Sequence, residues 1–251
     1  MRTHPTLDTR QTLRRTGRDQ ALVAPLPMPD IATRTGEERF GLLVDRECPA
    51  REHRRLSTRV RQAKLRQPAC LEDLDARHPR GVEKSLSARL ATGPWVRARP
   101  HVFITGPTGL GNTGLGGALG QHAGRDGLTA LDLRLPRFLP ARPLATGEGR
   151  DGQRLTALAK PDVVMLDDWG LAPFSEENRR DLLEIVEDRH DRRATIITSQ
   201  LPVEHWHDAL GDPTLADAIL DRLVHNAYKI ALHGESMRKR PAKLTRGAMS
   251  D

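Results

Sequence analysis

A chain of 251 residues with 37% hydrophobic, 3% aromatic and 29% charged residues can close one sizeable core plus a smaller appended unit, and that core must be aliphatic. The net charge of +7 points to an anionic partner, of which nucleic acid is the commonest. No apolar run approaches the roughly 18 residues of a membrane span, the N-terminus has no apolar signal core, and Cys48 and Cys70 form no CxxC pair, so a soluble, reduced, cytoplasmic protein with no membrane partner is expected.

The first 35 or so residues are weakly patterned, and Pro25, Pro27 and Pro29 interrupt any long helix there. From Glu37 the pattern is helical, with Phe40, Leu43 and Val44 on one face. A second helix is predicted over residues 50–67, stopped by Pro68. Pro79, Gly81, Gly93, Pro94 and Pro100 then mark a partly helical connection. Beyond Pro100 the pattern becomes alternating strands and helices. Strands are predicted over 101–105, 128–133, 163–166, 195–198 and 228–232, with helices between most of them. One helix spans 176–189, with Ser175 as its N-cap and acidic residues in its first turn. Residues 141–154 read as a loop or a poorly ordered helix, and no internal repeat is present. Strand, crossover helix and strand in succession imply a parallel sheet covered on both faces. The expected organisation is a helical N-terminal domain (1–70), a connector (71–94), an α/β three-layer domain with a five-stranded parallel sheet (95–240) and a basic tail (241–251).

Directly after the first predicted strand comes Gly106-Pro107-Thr108-Gly109-Leu110-Gly111-Asn112-Thr113. A phosphate-binding loop needs glycines so that backbone N–H groups curl around phosphates in front of a helix N-terminus, then Lys and Ser or Thr. The glycines and Thr113 are in place, but the lysine position holds Asn112. A second signal is Val163-Val164-Met165-Leu166-Asp167-Asp168, a buried strand running into two carboxylates at the end of a sheet where ligands bind. One carboxylate can hold magnesium and its neighbour can orient water. Alternatively the pair caps the next turn; the glycine loop upstream favours the metal reading. His205 and His207 flank Trp206 without a third ligand at suitable spacing, and no nucleophile elbow is present.

Arg51, Arg54, Arg55, Arg59, Arg61 and Arg66 crowd one short segment opposed only by Glu52. On an ideal helix the six fall within about 160° of arc, next to a stripe of Leu56, Val60 and Ala63. Such a helix can bury one face and offer a cationic face to the phosphates of double-stranded DNA, or it is a solvated basic helix. Arg238, Lys239, Arg240, Lys243 and Arg246 either add a second phosphate contact or form a tail.

From Glu37 to Arg240 the chain resembles the IstB-like transposition helper ATPases, the AAA+ partners of insertion-sequence transposases. The resemblance rests on Gly41-Leu42-Leu43-Val44-Asp45-Arg46-Glu47, on Leu166-Asp167-Asp168-Trp169-Gly170-Leu171-Ala172-Pro173 and on Thr198-Ser199-Gln200-Leu201-Pro202. It rests further on Gly211-Asp212-Pro213-Thr214-Leu215-Ala216-Asp217-Ala218-Ile219-Leu220-Asp221-Arg222-Leu223 and on Gly234-Glu235-Ser236-Met237-Arg238-Lys239-Arg240. It implies a P-loop ATPase (AAA+) fold, with ATP and Mg2+ as cofactors and nonspecific duplex DNA, a transposase and further copies of the chain on DNA as partners. By the same resemblance Thr113 and Asp167 take magnesium, Asp168 positions water, and Ser199 and Gln200 read the γ-phosphate. Arg222 is implied to complete a neighbouring subunit's site and Arg238 to act as a second sensor.

Two departures bear on activity. Asn112 is neutral and too short to reach the β/γ oxygens, a loss of about 1.5–3 kcal/mol in binding and more in hydrolysis. Gly114, Gly116, Gly117 and Gly120 are expected to weaken the phosphate-binding helix, each by up to about 1 kcal/mol. The expected function is therefore a DNA transposition helper impaired in ATP binding and hydrolysis. A nucleotide-independent DNA- and transposase-binding module and a helicase-loader-like replication protein are the alternatives.

Overall fold

All five apolar runs expected to be strands are strands: β1 (His101–Thr105), β2 (Ala130–Arg134), β3 (Val163–Trp169), β4 (Ala194–Ser199) and β5 (Ala227–Ala231). The computed structural model describes residues 35–67, 69–71, 89–90, 94–139, 155–234 and 236. The strands form one sheet in the order β2-β3-β4-β1-β5, and every pairing is parallel. Because consecutive side chains on a strand point to opposite faces, each inner strand feeds two cores. Val102 and Ile104 of β1, Met165 of β3 and Ile196 of β4 pack on one face against Leu115, Leu119 and Ala123 of α3 (Asn112–Arg125). Phe103, Val164, Leu166 and Ile197 pack on the other. That second face is covered by α5 (Glu176–Arg189), α6 (Trp206–Leu210) and α7 (Pro213–Val224), through Leu182, Leu210 and Ile219. The three-layer α/β architecture expected from the alternating pattern is what forms.

The chain divides into two compact units, Met1–Thr58 and Arg59–Asp251. The described part of the first unit is helical. It belongs to α1 (Gly36–Ala63), a single helix with Pro49 inside it, where two segments were expected. α1 ends at Ala63 rather than running to residue 67, because Lys64 adopts a left-handed φ of 52°. The short helices α2 (Pro94–Ala98) and α4 (Leu135–Phe138) complete the numbered elements. Residues 72–88 and the basic tail lie outside the described residues, as do residues 141–154, and no described helix is long and apolar enough to cross a membrane.

The expectation of an aliphatic core needs correction on both faces, since Trp95 is buried on the α3 side and Phe103, Trp169 and Trp206 on the other. The Trp206 ring lies tilted at 4.9 Å from Phe103 and 5.2 Å from Trp169, and Phe174 lies 5.5 Å from Trp169. Few aromatics are present, but four of them gather at one point beside the C-terminal end of β3. Arg189 is also buried. It donates to the carbonyl oxygens of Leu158 (2.7 Å), Pro161 (3.0 Å) and Ala194 and to Thr195 Oγ1 (3.1 Å), and burial pushes its pKa down to about 9.

Ser175 caps α5 as expected, its Oγ accepting from the Asn178 N–H at 3.2 Å. Ser175→Ala should cost about 1 kcal/mol and lower Tm by about 2–4 °C for a domain of this size. An unchanged melting curve would remove the cap from the helix's stabilising contacts.

Candidate functional site

β1 delivers the chain into the glycine loop at the C-terminal end of the sheet. Gly106, Gly109 and Gly111 take φ values of 153°, 92° and 95°. Gly111 stands immediately before α3, in a left-handed conformation that a side chain would strain, and the helix N-terminus behind it has no side-chain cap. Pro107 and Thr108 are exposed, while Leu110 is buried and pins the loop to the core. Ser236, beyond β5, lies so close to Gly109 that a Cβ there would collide with it. Uncapped backbone at a helix start, presented by a glycine turn, fits a phosphate group.

The cationic positions do not fit a magnesium–nucleotide pair in the same way. Asn112 Nδ2 donates to the Gly106 carbonyl oxygen at 2.6 Å and to that of Ser199 at 3.1 Å. The amide thus ties the loop back to the end of β4. Its Oδ1 is buried without a partner among the described residues, and as an acceptor it offers nothing to a phosphate oxygen.

Asp167 lies in β3, 1% exposed, beneath this loop. Thr113 Oγ1 donates to both of its oxygens, at 3.0 and 3.1 Å, and Thr198 Oγ1 donates to Oδ1. The structure therefore brings Thr113 and Asp167 together. It also brings a residue the sequence assigned elsewhere: Arg66 Nη2 donates to Asp167 Oδ2. Asp132 of β2 holds the same arginine, accepting from its backbone N–H at 3.0 Å and from Nε at 3.4 Å. Burial alone would lower the Arg66 pKa, but the Asp167 and Asp132 carboxylates outweigh it and hold the guanidinium above its ordinary value. Burial pushes the Asp132 carboxyl up, and Arg66 opposes that rise.

Asp168 takes a left-handed φ of 63° at a register shift between β3 and β4. A bulge of this kind re-aims a side chain, and here the carboxylate meets Arg134 Nε at 2.6 Å. Ser199 ends β4, and its Oγ donates to the Trp169 carbonyl oxygen at 2.8 Å and accepts from Leu201 N–H at 3.0 Å. Gln200 is exposed beside it. Arg222 on α7 does not extend away from its own chain. Its Nη1 donates to the Ala218 carbonyl oxygen and its Nη2 to Glu187 Oε1, both at 2.8 Å. Arg238 lies outside the described residues.

Of the six arginines expected to line one helical face, five are on α1 and Arg66 is not, because the helix stops first. Arg51, Arg55 and Arg61 are exposed. Arg54 Nε donates to the Ala50 carbonyl oxygen at 3.2 Å, and Arg59 Nη1 to that of Gly127 at 3.3 Å. The helix glycines also serve a purpose that propensity does not disclose. A Cβ on Gly117 would stand 2.8 Å from the Gln67 carbonyl oxygen, so this glycine lets the segment after α1 lie directly on α3. Sequence reading missed Asp132, Arg134 and Thr198. An aspartate within the apolar strand Ala130-Leu131-Asp132-Leu133 was the available signal for the first.

Residues 23–245 match the family model for the IstB-like ATP binding protein. An insertion sequence ATP-binding protein of Sinorhizobium fredii is 46% identical over 239 residues, covering 95% of this chain and 98% of its own. The insertion sequence IS1162 ATP-binding protein of Pseudomonas fluorescens is 47% identical, over 80% of this chain and 88% of its own. Among solved structures, that of DnaI superposes with a TM-score of 0.56 at 21% identity, over 67% of this chain and 92% of its own. The DnaC helicase loader superposes with a TM-score of 0.52 at 19% identity, over 66% of this chain and 97% of its own. At those identities the structural matches speak for the fold alone.

Proposed function

The chain belongs to the family of IstB-like ATP binding proteins, and from that premise we propose that it is a transposition helper acting in the cytoplasm. It binds duplex DNA without sequence preference, engages the transposase of an insertion sequence and assembles with further copies of itself on DNA. The observation that carries this reading is the glycine cradle at the start of α3 joined to the Thr113–Asp167 pair, in a chain whose relatives are insertion-sequence ATP-binding proteins. Within it the loop from Gly106 to Thr113 would cradle phosphates, with Ser199 and Gln200 beside the terminal one. The nucleotide contributes little, because Asn112 stands where the cation is required and its amide is engaged by two carbonyls.

The engagement of Asn112 by two carbonyls favours a second reading, a DNA- and transposase-binding module with no nucleotide cycle. The two readings share the partners and differ in what drives assembly. With a feeble nucleotide contribution, DNA itself concentrates the subunits. Mass photometry should find monomers or small oligomers in free solution and larger assemblies on long DNA, alike with and without ATP. Arg222→Ala should leave them unchanged, since Arg222 is engaged by Glu187 of its own chain. Assembly that strictly requires ATP and is lost in Arg222→Ala would overturn this and restore a working nucleotide switch.

A further inference from the structure

Arg66 was expected on a DNA-facing helix and is found instead on the carboxylate that the site would offer to a metal. Its position is held from three sides. Lys64 turns the chain out of α1 in a left-handed conformation. Leu65 packs against the core beside α3, and Gln67 presses its carbonyl oxygen on Gly117. Between them Asp132 accepts from the backbone N–H, Nε and Nη2 of Arg66, and Nη2 donates to Asp167 as well.

The electrostatics make this arrangement more than a surface pair. The side chains of Asp132 and Asp167 are only 1% and 2% exposed, whereas that of Arg66 is 35% exposed. Two buried carboxylates side by side repel and require a cation. Arg66 supplies it. Asp167 Oδ1 already accepts from Thr198 and Thr113, and Oδ2 from Thr113 and Arg66. A divalent ion reaches Oδ2 only by displacing the guanidinium.

We propose that Arg66 is the resident cation of this site, so that Arg66 and a divalent metal ion exclude each other on Asp167, and that residues 64–67 form a latch which must lift from Gly117 before metal can bind. The proposal rests on the reading of Asp167 as the metal carboxylate of a nucleotide site.

Mn2+ is the probe, titrated into the full chain at mildly alkaline pH and followed by the electron paramagnetic resonance of the free ion. The native chain should bind it weakly. Arg66→Met should bind it about tenfold tighter or more, the scale of one charge-assisted hydrogen bond. Gly117→Ala keeps Arg66 but drives a Cβ into the Gln67 carbonyl oxygen while raising helix propensity, so it should shift affinity the same way. If Arg66→Met fails to fold, Gly117→Ala decides alone. Native-like Mn2+ affinity in the folded variants overturns the proposal, as does tight binding by the native chain. A fluorescent ATP analogue tests the underlying reading separately. Failure of every variant to bind the analogue, with Mn2+ affinity still set by Arg66, would remove the nucleotide and leave the exclusion standing.

Discussion

Asn112→Lys should raise affinity for ATP by about tenfold to a hundredfold, the equivalent of about 1.5–3 kcal/mol for one charge-assisted contact to the phosphates. In the native chain the amide bonds the Gly106 and Ser199 carbonyl oxygens, so it closes the loop on itself and places no charge at a phosphate. Lysine is longer and carries the charge, and the cradle it would serve is already formed by Gly106, Gly109 and Gly111. Equilibrium binding of a fluorescent ATP analogue measures the gain. Hydrolysis should stay near background in the single variant, because Arg66 still stands on Asp167. Adding Arg66→Met should let turnover appear. Native turnover in the family's ordinary range, abolished by Asp167→Ala, would refute the account of a disabled site, and so would an Asn112→Lys chain that binds the analogue no better.

Reversing charge at Arg51, Arg55 and Arg61 together should weaken duplex DNA binding by about two orders of magnitude near 0.1 M salt, uniformly across sequences. These three are the exposed arginines of α1 among the residues singled out by helical periodicity. Arg54 and Arg59 are half-buried and make poorer first targets. Each phosphate that the protein no longer neutralises takes about one unit from the slope of log affinity against log salt, so the slope should flatten by up to about three. Fluorescence anisotropy across a salt series provides both numbers. Arg66→Met serves as the internal contrast, since its charge is directed at Asp132 and Asp167 and should leave the slope alone. An unaltered slope in a folded triple variant would place the DNA surface elsewhere.

How legible these features were depends on the distance over which each is decided. The strands are written locally, as apolar runs flanked by glycine, proline and charge, and His101–Thr105 needs no partner to be recognised. The same is true of α5, whose Ser175 cap and acidic first turn lie within four residues of each other. The glycine loop and the Asp167-Asp168 pair were legible as motifs, and the sheet brings their ends together as a parallel order requires. Arg66 was not legible. Its partners lie 66 and 101 residues away, and what carries it there is one left-handed residue, Lys64, that no periodicity announces. Without that turn, Arg66 falls on the cationic arc with the other five. Gly117 misled in the same way. Propensity scores a helical glycine as a loss, while its value here comes from a contact with Gln67 that is distant in sequence. The aromatic cluster escaped because composition counts residues without saying where they meet.

That cluster gives the protein an optical reporter. Trp169 immediately follows Asp168, its carbonyl oxygen accepts from Ser199, and its ring lies 5.2 Å from Trp206, close enough for the two indoles to share excitation. Trp95, the remaining tryptophan, is buried in the core on the other face of the sheet and serves as a steady background. Emission and near-ultraviolet dichroism of the unlabelled chain should therefore register any rearrangement at the end of β3, whether it begins at Asp167, at Ser199 or in the loop above them. Spectroscopy can then follow the site in the presence of DNA and partner proteins, where a dye attached to the chain would itself disturb assembly.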